Sequence, residues 1–264
     1  LNPKLVVIAV PSHAIRELMN ISSKYFNSKT IIINLSKGLE NITLKRMSEV
    51  ILESTDVDYN RIVSLYGPSH AEEVVLGYPT TLVAASSNEK SSKLIQEIFS
   101  SDILRVYNNK DIKGVELGGS LKNVIAIAAG ICDGIGFGDN TKAALLTRGI
   151  AEITRLGVEM GAKESTFSGL SGIGDLIATC LSKHSRNRYV GEEVGKGESL
   201  SSILDSMDMV AEGVKTTRSV YDLSKKYNLD MPISEGVNNI LFNDKDPKSI
   251  VSELMNRDLV NEKI

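Results

Sequence analysis

The first 110 residues alternate short β-branched runs with segments of helical spacing, and this limits them to a sheet with helices laid on its faces. Lys4-Leu-Val-Val-Ile-Ala-Val10 reads as a buried strand closed by Pro11-Ser12, and residues 13–26 then place Ile15, Leu18, Met19 and Ile21 at helical intervals. Residues 30–35, 61–65, 80–85 and 103–107 repeat the strand signal, with helical segments near 43–53, 70–74 and 91–99 between them. The expectation is a parallel sheet. In such sheets ligands sit beyond the carboxyl ends of the strands, which gives Pro11-Ser12, Ser36-Lys37-Gly38 and Gly67-Pro68-Ser69 a shared edge. Taken singly, each is also an ordinary turn or strand exit.

From Asp111 onward the β-branched runs nearly vanish and the spacing turns helical, with segments at 111–131, 140–160, after Gly172-Ile-Gly174, at 188–195, 213–227, and through Ile240 and Leu254. The fold class is therefore α/β followed by all-α. Residues 1–110 form the sheet domain and residues 111–264 the helical one.

Gly114-Val-Glu-Leu-Gly-Gly-Ser-Leu-Lys-Asn-Val-Ile-Ala-Ile-Ala-Ala-Gly130 puts a lysine inside an otherwise buried helix. The helical neighbours of Lys122 are Gly118, Gly119, Ile125, Ala126 and Ala129, a mostly small face that lets another backbone or a ligand come close. Desolvation there lowers a lysine pKa toward the range useful for proton transfer. The plainer alternative packs the stem and lets the amine escape to water.

A net charge of −3 provides no general attraction for nucleic acid or an anionic membrane. Cys132 and Cys180 lack metal-ligand spacing and fit a reduced, cytoplasmic chain. The apolar run from Asn123 to Cys132 is too short to span a bilayer, and no signal-peptide pattern opens the chain. His13, His70 and His184 form no metal spacing and read as satisfied or exposed histidines, so no metal is expected.

Four motifs in order carry a resemblance: 114–123, Gly138-Asp-Asn-Thr-Lys-Ala-Ala-Leu145, Gly169-Leu-Ser-Gly-Ile-Gly-Asp-Leu176 and Ser185-Arg-Asn-Arg188. Together, over residues 4–254, the chain resembles the NAD(P)-dependent glycerol-3-phosphate dehydrogenases of the bacterial type. The resemblance implies a Rossmann nucleotide-binding domain followed by a helical domain similar to the C-terminal part of 6-phosphogluconate dehydrogenase. It implies reduction of dihydroxyacetone phosphate to sn-glycerol 3-phosphate for glycerophospholipid synthesis, with NAD or NADP, in a homodimeric family. Carried over, it makes Lys122 the proton donor and acceptor. Substrate would meet Lys37, Gly67, Ser69, Lys122, Asn123, Asp175, Thr179, Ser185, Arg186 and Asn187. Cofactor would meet Lys37, Ala71, Arg186, Val210 and Glu212.

Ser185-Arg186-Asn187 has the composition of an anion-binding helix start, although Arg186 and Arg188 also suit a solvated pair. Gly172-Ile-Gly174-Asp175 also suits a glycine-rich turn with Asp175 as helix cap. A ketopantoate-type or other hydroxy-acid reductase is a rival that the Lys122-Asn123 pair and the Ser-Arg-Asn run argue against. No strand followed by Gly-x-Gly-x-x-Gly, the family's pyrophosphate loop, is present, and glycine-rich 130–138 follows a helix instead. The expectation is an incomplete Rossmann domain that binds dinucleotide weakly or not at all; the alternative is a non-catalytic remnant serving as a phosphate-binding or oligomerisation module.

Overall fold

The computed structural model describes residues 3–207, 209–259 and 261–262; Leu1, Asn2 and the outer limits expected for the two domains lie outside the described residues. One sheet runs in the order β1 (Leu5–Ile8), β2 (Ile31–Asn34), β3 (Ile62–Tyr66), β4 (Thr80–Ala85) and β5 (Leu104–Asn109). Its side chains alternate between two cores, as the strand period demands. Ile8, Ile32, Ile62 and Tyr66 pack under α1 (Ile15–Ser22) and α2 (Met47–Ser54), whereas Ile31, Ile33, Val63 and Leu65 pack with Ile95 of α4 (Glu89–Phe99).

Three details depart from expectation. β1, β2 and β3 are mutually parallel and β4 pairs parallel with β5, but β3 and β4 are antiparallel. A parallel crossover needs an element long enough to run back along the sheet, and the 67–79 link holds only the five-residue α3 (Ala71–Val75). Second, β1 is an edge strand rather than a buried one, with Val7 half exposed. Third, α2 starts at Met47 rather than near residue 43, because Leu39 and Arg46 form an antiparallel bridge just before it.

The remaining chain is helical: α5 (Ile112–Ile135), α6 (Asp139–Glu159), α7 (Glu164–Phe167), α8 (Asp175–Leu181), α9 (Arg186–Lys196), α10 (Leu200–Asp205), α11 (Glu212–Lys226), α12 (Pro232–Phe242) and α13 (Pro247–Met255). α5 is the axis around which the others pack. Asp111 caps its start by accepting from the Gly114 N–H at 3.0 Å, and left-handed Gly136 ends it. At 24 residues and a mean hydropathy of 1.4, α5 is long and apolar enough to cross a bilayer, which the 123–132 run alone did not suggest. Its most apolar window is nevertheless wholly buried inside the protein.

The small residues on α5 admit protein backbone. A Cβ on Gly130 would lie 1.9 Å from the Arg188 carbonyl oxygen, and one on Gly134 2.1 Å from that of Glu192. From the other side, a Cβ on Gly191 would lie 2.0 Å from the Ile127 oxygen. Two glycines four apart on each helix thus let α5 and α9 touch backbone to backbone. Gly118 and Gly119 make similar room, the first for the Ser171 carbonyl and the second for the Tyr66 ring.

α5 also buries Glu116, which ties the helical half to the sheet half. Its Oε2 accepts from Arg46 Nη1 at 2.7 Å and Ser48 Oγ at 2.6 Å, and its Oε1 from the Ser48 N–H at 2.9 Å and Ser64 Oγ at 3.0 Å. Four donors offset the cost of burying the charge.

Gly191→Ala is expected to destabilise the fold by about 2–3 kcal/mol or more, since neither backbone can yield without separating the helices. Gly138→Ala, whose Cβ meets nothing within 4 Å, is expected to stay within about 0.5 kcal/mol. Urea unfolding of the two variants beside the parent checks the contrast.

Candidate active site

The carboxyl ends of β1, β2 and β3 open onto a cavity of about 710 Å³ whose opposite wall comes from α5, α8 and the start of α9. Its floor carries three charges. Lys122, 5% exposed, projects from α5 and meets Asp175 Oδ1 at 2.7 Å and the Thr179 hydroxyl. Lys37, from the loop after β2, meets Asp175 Oδ2 at 2.6 Å and donates to the Gly67 carbonyl at 2.9 Å. One buried carboxylate thus holds two ammonium groups, one on each oxygen.

Burial pulls Lys122 down to about 8; Asp175 pulls it upward and Lys37 reinforces the fall. The net direction is downward, as expected for a lysine desolvated on a buried helix. Burial also opposes ionisation of Asp175, yet Lys122 and Lys37 together hold its carboxyl below the usual range. The result is a carboxylate beside a lysine amine poised near neutrality.

Local folding accounts for these positions. Asp175 is not a helix cap: residues 170–174 form a π-helical turn that runs directly into α8, which leaves the Asp175 carboxylate free for the lysines. Thr179, one turn on, also donates to the Asp175 carbonyl oxygen at 2.7 Å. Gly67 adopts φ +149°, and a Cβ there would press to 2.9 Å from the Thr81 oxygen, so glycine is what allows its carbonyl to face Lys37. Ser185 caps α9, accepting from the Arg188 N–H at 3.2 Å.

Lys37, Ser69, Ala71, Lys122, Asn123, Asp175, Thr179, Ser185, Arg186, Asn187, Val210 and Glu212 all line this cavity, while Gly67 reaches it through Lys37. Arg186 and Arg188 part company. Arg186 lines the cavity and donates to the Val210 carbonyl at 3.0 Å, whereas Arg188 turns away to Asp133 at 2.7 Å. Glu212, at the start of α11, accepts from the Ser12 N–H at 3.0 Å and from its hydroxyl, joining the helical half to the end of β1. Asn187 accepts from the Gly213 N–H at 2.8 Å.

Sequence reasoning missed His70 and His184. Both stand in the cavity wall with ring centroids 6.2 Å apart, and only the place of His70 after β3 hinted at it. His13 is exposed. Among the described residues no group of three or more His, Cys, Asp or Glu could hold a metal ion. Cys132 and Cys180 are free and buried, and burial pushes the Cys180 thiol up to about 12.

Part of this lining suits a dinucleotide. Ala9, Val10, Pro11 and Leu35 line the cavity at the strand ends as an apolar surface together with Lys37, and Arg186 lines it as a donor for a phosphate.

Two family models match the chain: the NAD-dependent glycerol-3-phosphate dehydrogenase N-terminus over residues 2–92 and the C-terminus over residues 111–252. The glycerol-3-phosphate dehydrogenase (NAD(P)+) of Oceanobacillus iheyensis is 54% identical over 252 residues, covering 96% of this chain and 73% of that protein. Its namesake from a Thermoanaerobacter species is 54% identical over 261 residues, covering 99% and 78%. The crystal structure of glycerol-3-phosphate dehydrogenase from Coxiella burnetii superposes with a TM-score of 0.91 at 38% identity, over 96% of this chain and 77% of that one. A ketopantoate reductase from Ralstonia eutropha, at 12% identity and a TM-score of 0.55 over 96% and 77%, shares the fold alone.

These matches correct one expectation. The sheet half, expected as an incomplete Rossmann domain, is instead matched by the N-terminal family model across residues 2–92, and the reading as a non-catalytic module loses its basis. The rival reductase has only the architecture in common. Matched in both halves and more than half identical to relatives along nearly its whole length, the chain belongs to the NAD-dependent glycerol-3-phosphate dehydrogenase family.

Proposed function

We propose that this protein reduces dihydroxyacetone phosphate to sn-glycerol 3-phosphate with NAD(P)H, and that Lys122 supplies the proton. The observation that carries the reading is the buried Lys122–Asp175–Lys37 group facing a cavity whose far wall holds the start of α9. The cofactor, when bound, supplies a hydride to the carbonyl carbon. Lys122 as ammonium hydrogen-bonds the carbonyl oxygen, stabilises the negative charge that grows there and transfers its proton, leaving a neutral amine. Asp175 and Thr179 hold that amine in place, and Lys37 adds a second positive charge beside the reacting oxygen.

Ser185, Arg186 and Asn187 meet the substrate phosphate at the helix start. Gly67, Ser69 and Asn123 shape the cleft around the three-carbon chain, and Lys37, Ala71, Arg186, Val210 and Glu212 meet the cofactor. The division of labour follows a boundary near residue 110, with a nucleotide domain before it and a substrate domain after. We place the reaction in the cytoplasm, feeding glycerophospholipid synthesis, in a homodimer; light scattering on the purified protein tests the last point.

The direct test is oxidation of NADH or NADPH dependent on dihydroxyacetone phosphate, with 2-keto acids as controls. Oxidation with keto acids alone would overturn the reading. Lys122→Met is expected to lower kcat by about 10²–10⁴ with little change in KM, the range for loss of a general acid.

The pH profile has a definite sign. Reduction needs the ammonium, so kcat/KM for reduction is expected to be level below pH 8 and to fall above it, as Lys122 loses its proton near 8; oxidation of glycerol 3-phosphate needs the amine and is expected to rise over the same interval. Since Asp175 raises the Lys122 pKa, Asp175→Asn is expected to move the reduction limb to lower pH. Steady-state rates across a pH series report both.

A further inference from the structure

His70 lies between Ser69 and Ala71 in the wall of the cavity, yet the mechanism above leaves it without a task. It follows β3 and sits just before α3, half-buried, with the Ala178 carbonyl of α8 near enough to its ring to raise its proton affinity. That carbonyl belongs to the same helix that presents Asp175 and Thr179 to Lys122. The ring therefore sits against the element that builds the catalytic floor. On its outer side stands His184, exposed at the rim, with the two rings tilted by 49°.

An imidazole that donates one N–H to a carbonyl presents its other nitrogen as an acceptor. Burial pushes His70 below its ordinary value and the Lys122 ammonium pushes it further, against the lift from the Ala178 carbonyl, so the ring is neutral at pH 7. Apart from the Asn123 amide and the exposed Glu72 carboxylate, the other polar groups of the wall are chiefly donors or already engaged. Lys122, Lys37 and Arg186 carry only N–H groups, and the Ser69 hydroxyl donates to the Gly67 carbonyl at 3.2 Å.

Dihydroxyacetone phosphate offers three polar features: the carbonyl, which Lys122 meets, the phosphate, which the start of α9 meets, and a free hydroxymethyl group, whose O–H needs an acceptor. Resting on the function proposed above, we propose that His70 is a specificity-determining residue that accepts a hydrogen bond from this hydroxyl. A three-carbon phosphate without the hydroxyl leaves the nitrogen facing the substrate with no partner, and a site built around a substrate hydroxyl rejects an analogue that lacks it.

The test compares dihydroxyacetone phosphate with hydroxyacetone phosphate, in which hydrogen replaces the free hydroxyl, as substrates of the parent enzyme, His70→Leu and His70→Gln. The parent is expected to favour dihydroxyacetone phosphate in kcat/KM by about tenfold, the worth of one net hydrogen bond. His70→Leu is expected to lose that preference through the hydroxylated substrate alone, and His70→Gln, which keeps an acceptor, to retain most of it. Equal losses on both substrates in His70→Leu would mean that the ring only supports α8, and the proposal is overturned. A parent enzyme that does not separate the two substrates overturns it without any variant. Failure of the parent to reduce either one sinks the dehydrogenase reading itself, and this proposal with it.

Discussion

An ionisable side chain buried on a helix must meet an opposite charge, and α5 buries two, Glu116 and Lys122. Leaving either unpaired would cost several kcal/mol. Glu116 is answered by Arg46 and three further donors from Ser48 and Ser64. Lys122, less than two turns away, is answered by Asp175. Both answers come from other parts of the chain, so the requirement dictates where α2, β3 and α8 must stand. The first pairing is closed and structural; the second faces a cavity and is available for chemistry.

The site follows from how the halves meet. Strand ends supply Lys37, the Gly67 carbonyl and His70, while helices supply Lys122, Asp175 and Arg186. Lys37–Asp175 and Ser12–Glu212 cross between them. Burial does most to depress Lys122, and Lys37 arriving from the sheet adds to the fall. The glycine contacts of α5 with α9 matter here too. They bring the capped start of α9 close enough to share the cavity with Lys122, at the expense of side-chain burial in that seam.

Part of this was legible without coordinates. Alternating β-branched and helical runs marked five strands, and the loss of β-branched runs after Asp111 marked the helical half. The lysine among small residues on a buried helix was readable from spacing, and the motif resemblance named twelve residues that line the cavity. What escaped has physical causes. Alternation records the order of elements but not strand direction, so the antiparallel β3–β4 junction stayed hidden. A small-residue face permits either a ligand or protein, and only the fold showed that Gly118 makes room for the Ser171 carbonyl and Gly119 for the Tyr66 ring. His70 and His184 lie far apart in the chain with no shared period, so nothing local could join them. The missing glycine fingerprint suggested a remnant, but one motif weighed less than the match along the rest of that half.

Sequence by itself determined the period of each element, the burial of α5 and the chemical types available to the site, because these depend on neighbours a few residues away. Tertiary structure decided which charges would meet and what their meeting does to proton affinity. Those outcomes depend on distances of a few ångströms between residues as remote as Lys37 and Asp175, and electrostatics in a buried site changes steeply over such distances.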